Sequence, residues 1–252
     1  MSGRRRSKLI IKIEVYPPRL RRPVDPWEDP RSSPPPSSRI LNPMPKAAIV
    51  LLLFGLAVLL VTLLAVQPPP PLELAVVVVD AGHGGRDPGA IVSGVQEKDI
   101  NLALALRVQR KAESISSIEV ILTRTGDTYP ALLERLALAE ALGARLYVSI
   151  HANYYSDSRI CGVETWVDSN AGAESLRLAR EVQRAVVAST GAADRGVRRQ
   201  TLYLRHTKLP TALVEVGYLS CPAERAKLQD PVYQDKVAAG ILAGILSFLR
   251  GP

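Results

Sequence analysis

Two kinds of apolar patterning divide the chain. Ala47 to Val66 is an unbroken block of twenty residues with no charge and a single Thr, about the length at which a helix rising ~1.5 Å per residue covers ~30 Å of hydrocarbon. Beyond Leu74 the apolar residues come in short groups. Ala75 to Asp80 is a continuous β-branched run ending in a Gly-rich turn, the pattern of a strand buried on both faces. Asp99 to Glu113 then carries apolar residues at helical spacing, and Ile118 to Thr123 reads as a second strand. The alternation continues with a helix over 129–142, a strand over 145–151, a helix over 175–189, a strand over 211–216 and a helix over 232–249. Strands separated by helices predict an α/β domain with a mainly parallel, twisted sheet flanked by helices, here preceded by a single transmembrane helix.

Charge sharpens this division into four parts. Residues 1–46 hold eleven Lys or Arg against four Asp or Glu, whereas 67–252 hold twenty-one against twenty, so nearly all of the net +8 lies before the apolar block. A basic excess confined to an arm rich in Pro and Ser points away from a nucleic-acid-binding face and predicts a disordered tail. The apolar block over 47–66 is read as an uncleaved anchor. A secretory signal has a similar core, but 46 residues is long for its leading segment, and Gln67 followed by four prolines spoils the small-residue cleavage pattern. Positive residues ahead of the helix place the N-terminus in the cytoplasm and the rest on the extracytoplasmic side of the cell membrane. Residues 67–73 form a Pro-rich spacer, and 74–252 the catalytic domain.

Three possible metal ligands fall at or near strand ends: His83 in Asp-Ala-Gly-His-Gly-Gly, Glu97 in Gln-Glu-Lys-Asp, and His151 in Ser-Ile-His-Ala-Asn. Two imidazoles and a carboxylate suit a catalytic zinc, because three protein ligands leave a fourth position for water. Either histidine alone reads more readily as a hydrogen-bonded residue ending a strand. The chain has only three histidines, however, and two follow buried-type strands, where open α/β sheets form their binding crevice. His206 lies in a basic loop and is read as surface or substrate-contacting. Gly82, Gly84 and Gly85 around His83 leave room for a substrate backbone. Glu215, in the apolar Leu-Val-Glu-Val-Gly-Tyr-Leu, is the choice for general base and acid, since burying an ionisable group demands a partner or a task. The alternative is a glutamate paired with Arg124 or Arg205.

Five motifs in order then resemble the zinc-dependent N-acetylmuramoyl-L-alanine amidases of the AmiC type, the amidase-3 family. They are Val-Asp-Ala-Gly-His-Gly-Gly-Arg-Asp-Pro-Gly-Ala (79–90), Glu-Lys-Asp-Ile-Asn-Leu-Ala (97–103), Leu-Thr-Arg-Thr-Gly-Asp (122–127), Ser-Ile-His-Ala-Asn (149–153) and Leu-Val-Glu-Val-Gly-Tyr-Leu-Ser (213–220). The resemblance implies zinc on His83, Glu97 and His151, acid/base work at Glu215, and peptidoglycan as substrate, cut between N-acetylmuramic acid and L-alanine. Ala81, Glu140 and Cys221 depart from residues common among relatives, and none removes a ligand. About forty-five residues separate Trp166 from Thr211, too few for the long insertion that covers the zinc in regulated relatives. The anchored, compact chain looks more like spore-cortex, germination-associated members. No separate wall-binding module is visible, and an activator protein is left open as a partner although the sequence does not reveal one.

Two rival readings remain: an exported metallopeptidase cutting another stem-peptide bond, and a non-catalytic wall-binding scaffold, which would be expected to have lost a ligand. Tyr154, Tyr155, Trp166 and Tyr203 either line a glycan groove or serve as core and cross-strand pairs. Arg195, Arg198 and Arg199 read as a loop, either solvated or directed at stem-peptide carboxylates. Cys161 and Cys221 are either a disulfide or two unpaired small hydrophobes.

Overall fold

The computed structural model describes residues 44–65 and 74–251, which fall into two units. The expected tail before Met44 and the spacer over 67–73 lie outside the described residues. In the first unit, Lys46–Ala65 form helix α1. From Ile49 to Val61 its large apolar side chains are all exposed, so nothing among the described residues of this unit covers them.

The second unit runs β1 (Ala75–Ala81), β2 (Ile91–Val92), β3 (Val95–Gln96), α2 (Glu97–Ala112), β4 (Ile118–Leu122), α3 (Leu132–Ala141), β5 (Leu146–Asn153), β6 (Val163–Asp168), α4 (Ala173–Thr190), β7 (Asp194–Gln200), a 3-10 turn at Tyr203–His206, β8 (Thr211–Tyr218), α5 (Pro222–Gln229) and α6 (Pro231–Leu249). Six strands make one sheet in the order β4-β1-β5-β8-β6-β7, and β2 and β3 form a small hairpin ahead of α2. Strands β4, β1, β5 and β8 are mutually parallel. β6 runs antiparallel to β8, and β7 follows β6. The α/β expectation is met, with a mixed far edge.

Alternation of side chains along each strand sorts the core into two layers. Val77, Val79, Val148, Ile150, Val214 and Val216 face α2, α4 and α6, whereas Val78, Tyr147 and Leu213 face α3 and Leu204. Both faces are therefore filled, which explains the continuous apolar runs. β6 and β7 escaped the sequence reading because their patterns are broken by charge: Glu164 and Asp168 lie in β6, and β7 is Asp-Arg-Gly-Val-Arg-Arg-Gln. The basic run read as a loop is thus an edge strand, where polar side chains guard unpaired backbone.

Helix α6 is long and apolar enough to cross a membrane, yet 56% of its apolar window is buried within the fold. Its Gly240 and Gly244 meet α4 at backbone contact: a Cβ on Gly244 would stand 2.6 Å from the Cα of Val182. Gly244→Ala is therefore expected to lower the unfolding free energy by about 1–3 kcal/mol through overpacking, read from chemical denaturation followed by circular dichroism.

Candidate metal centre

The chain leaves β1 toward β4 on one side and leaves β5 toward β8 on the other, so the C-terminal ends of β1 and β5 open at the point where the strand order reverses. The loop after β1 turns sharply. His83 takes a left-handed backbone at φ 61° and is followed by Gly84 at φ 124°, a conformation that costs a non-glycine residue of order 1 kcal/mol or more and persists only where its surroundings enforce it. Two buried arginines provide the enforcement. Arg124 donates to the carbonyls of Ala81 (2.8 Å) and Gly82 (3.0 Å), and Arg135 to those of Ala81 (3.0 Å) and His83 (2.8 Å).

Glu97 opens α2 and points its carboxylate between the two histidines. Its Oε1 lies 3.1 Å from His83 Nε2 and 2.9 Å from His151 Nδ1. The backbone amide of Ala152 donates to Oε1 at 3.2 Å and that of Ala90 to Oε2 at 2.9 Å. The His83 Nδ1 lies 2.8 Å from Asp87 Oδ2, so that a proton on Nδ1 leaves the Nε2 lone pair facing Glu97. All three candidate ligand atoms fall within 4.8 Å of one another. The two contacts are on the scale of ligand-to-ligand edges, roughly 3–3.5 Å, around an ion bound at ~2.0–2.2 Å. Electrostatics agree with this fit. Burial pushes the His83 imidazole down, but the bond and charge of Glu97 and then of Asp87 outweigh it, and Glu97 is held well below the usual carboxylate range by the two imidazoles despite burial. Two ring nitrogens converging on one ionised carboxylate is a donor set that favours a cation.

Glu215 stands beside this cluster. The register pairs it with His151 on β5 and with Glu164 on β6, which sets three side chains in one row across the sheet. Its Oε2 is sealed from solvent and has no hydrogen-bond partner among the described residues. Burial first, and then the charges of Glu97 and Glu164, push its carboxyl well above the usual range. Among the described residues no arginine neutralises it: Arg124 spends its donors on backbone carbonyls, and Arg205 is exposed on the 3-10 turn.

The remaining expectations divide. Cys161 and Cys221 form a disulfide with Cα atoms 5.6 Å apart. His206 is exposed and lies outside the ligand cluster. Tyr203 is half-buried against the smaller core layer, its hydroxyl 2.9 Å from that of Tyr147, whereas Tyr154 and Tyr155 are exposed just past β5. A Cβ on Gly82 would collide with the His151 ring, and one on Gly84 with Thr128 and Arg124. Those two glycines thus make room for a ligand and its clamp rather than for substrate. Sequence reasoning missed Asp87, which orients His83, and Glu164, concealed in the unread strand β6. An acidic residue four positions after His83 was the available signal for the first.

Comparison with known proteins follows the same outline. Residues 77–247 match the family described as N-acetylmuramoyl-L-alanine amidase. The chain is similar to the N-acetylmuramoyl-L-alanine amidase LytC of Bacillus subtilis (strain 168), with 38% identity over 176 residues, covering 69% of this chain and about a third (35%) of LytC. It is 34% identical over 189 residues to the germination-specific N-acetylmuramoyl-L-alanine amidase of the same organism, covering 69% of this chain and 79% of that one. Among solved structures, the catalytic domain of CwlV, an amidase from Bacillus (Paenibacillus) polymyxa var. colistinus, superimposes with a TM-score of 0.67 at 40% identity, covering 71% of this chain and all (100%) of that domain.

If Asp87 holds His83 in its ligand orientation, Asp87→Asn should weaken metal binding about 10- to 100-fold, measured by competition with a chromogenic chelator. Glu97→Ala should leave less than one tenth of the native metal stoichiometry in elemental analysis.

Proposed function

The chain belongs to the N-acetylmuramoyl-L-alanine amidase family, and we propose that its centre holds zinc and hydrolyses the amide between N-acetylmuramic acid and the L-alanine of the peptidoglycan stem peptide. The observation that carries this reading is the row in which Glu215, unpaired and sealed, stands next to the ligand His151. His83, Glu97 and His151 would hold the ion, which when bound supplies Lewis acidity to the scissile carbonyl and lowers the pKa of the attacking water toward ~7. The chain's own residues do the rest. Asp87 keeps the His83 Nε2 directed at the ion. Glu215 takes the proton released as water adds to the carbonyl carbon and delivers it to the alanine nitrogen as the C–N bond breaks, leaving a muramyl carboxylate and a free peptide amine. An environment that favours the protonated form suits that second role, because a carboxyl held neutral can donate.

The same reading places the enzyme at the cell surface. Helix α1, uncharged after Lys46 and lined all round with exposed apolar side chains, fits a single membrane crossing. The basic residues before it favour a cytoplasmic N-terminus, and the disulfide fits an oxidising exterior for the catalytic unit. Between β6 and β8 the chain spends its residues on α4, β7 and the 3-10 turn, a compactness that, with the germination-specific relative, supports a spore-cortex role.

Glu215→Gln should bind metal as the native protein does while losing about 10²- to 10⁴-fold in the release of stem peptides from purified peptidoglycan, followed by mass spectrometry on the full-length chain in detergent. Products that keep alanine attached to muramic acid would point instead to a peptidase. Membranes washed with alkaline carbonate should retain the protein, and detergent should release it; release by carbonate alone would refute the anchor.

A further inference from the structure

On the strand next to that of Glu215 lies the floor of a polar cavity, of about 360 Å³, lined by Asn153, Tyr155, Glu164, Trp166, Arg195 and Arg198 among others. At its floor is the buried carboxylate of Glu164, whose side chain is 3% exposed. Its Oε1 accepts from Asn153 Nδ2 (2.8 Å), Trp166 Nε1 (3.1 Å) and the Tyr218 hydroxyl (2.9 Å). Its Oε2 meets Arg195 Nε (3.2 Å) and Arg198 Nε (2.9 Å). One carboxylate thus faces two guanidinium groups, and the pocket keeps one positive charge.

The way these arginines attach matters as much as their number. Both reach Glu164 through Nε, the inner donor of the side chain. Arg195 also lies over the Tyr218 ring at 5.4 Å. Arg198 is 42% exposed, rests beside the Trp166 ring at 5.9 Å, and shows no partner for its two terminal nitrogens among the described residues. Those nitrogens form the planar edge that grips a carboxylate with two parallel hydrogen bonds. An arginine fixed at Nε by a buried acid and steadied by an indole is already oriented, so little side-chain entropy is lost when an anion arrives.

We propose that Arg198, positioned by Glu164 and Trp166 and supported by Arg195, forms a subsite for a carboxylate on the peptide side of the substrate. This rests on the amidase reading, which also decides the side. Muramic acid has one carboxyl group, and the scissile amide consumes it, so a further carboxylate must come from the peptide. Position narrows its source. Glu164, which anchors Arg198, is the register partner of Glu215 on the neighbouring strand, and the carboxyl of L-alanine itself is used up in the next peptide bond. The carboxylate then belongs to the residue following L-alanine.

Two soluble substrates test this, both with the γ-carboxyl of the second residue capped as an amide: N-acetylmuramoyl-L-alanyl-glutamate with the α-carboxyl free, and the same compound with that group as a carboxamide. With the full-length, zinc-loaded chain in detergent, kcat/KM should favour the carboxylate about 10- to 100-fold, a range expected for a charged pair in a partly exposed site. Arg198→Gln should bring the ratio near 1. Arg199→Gln should leave it unchanged, because Arg199 instead donates to the carbonyls of Ser169 and Ala171. The native ratio needs no variant, so misfolding of Arg198→Gln cannot mask the result. Equal cleavage of both substrates by the native protein, or a preference that survives Arg198→Gln, overturns the subsite and leaves the amidase reading standing. Cleavage of neither, with metal bound, overturns both.

Discussion

Asp80 and Arg135 form an ion pair at 2.8 Å in which each side chain is 1% exposed, and most of the catalytic edge depends on it. The Asp80 carboxylate also accepts from Thr123 after β4 and from Ser149 in β5, both at 2.6 Å. Arg135 extends from α3 to reach the carbonyls of the turn that carries His83. Two adjacent strands, the loop after a third, and one helix are thereby fixed against each other directly beneath the histidines. Burial alone would push the Asp80 carboxyl up, but the Arg135 charge and the three hydrogen bonds more than offset it, and the group is held below its usual range. Breaking such a pair from one side leaves an uncompensated charge in the core, at a cost of about 3–5 kcal/mol. The pair therefore acts as a foundation for the site, touching the proposed ligands only through the backbone carbonyl of His83.

Three acidic residues near that foundation have contrasting surroundings. Glu97 is flanked by two imidazoles and stays ionised. Glu164 is matched by two arginines. Glu215 lies between them with neither, so the negative charges of its neighbours reinforce the effect of burial. Separating the proton affinities of adjacent carboxylates by environment is how one site provides both a permanent anion and a proton carrier. Two elements produce the contrast: strand register makes His151, Glu215 and Glu164 consecutive partners across β5, β8 and β6, and the start of α2 brings Glu97 to the histidines.

Register also explains what the sequence could and could not reveal. His83, Glu97, His151 and Glu215 were legible because each interrupts a local pattern, either a glycine turn, a helix start or an apolar strand. The four parallel strands were legible for the same reason, as apolar runs buried on both faces. Glu164 and Arg198 were not legible as partners. They lie on strands whose alternation is broken by charge, and only pairing across the sheet brings them to the site. Asp80 and Arg135 are 55 residues apart, and no local signal links them. The Cys161–Cys221 bond is likewise a matter of distance in space, which composition alone left open.

The glycines of α6 bear on how many times this polypeptide crosses a lipid bilayer. Hydropathy by itself would count two crossings, one near each end, and so return the C-terminus to the cytoplasm. Gly240 and Gly244 remove one of them, because a helix whose glycines are seated on the backbone of α4 has exchanged its lipid-facing surface for protein. The folded unit then contributes no crossing of its own, and both ends of its sheet stay on one side. An export machinery that reads apolar length during synthesis would meet α6 last, after its partner α4 has already been delivered.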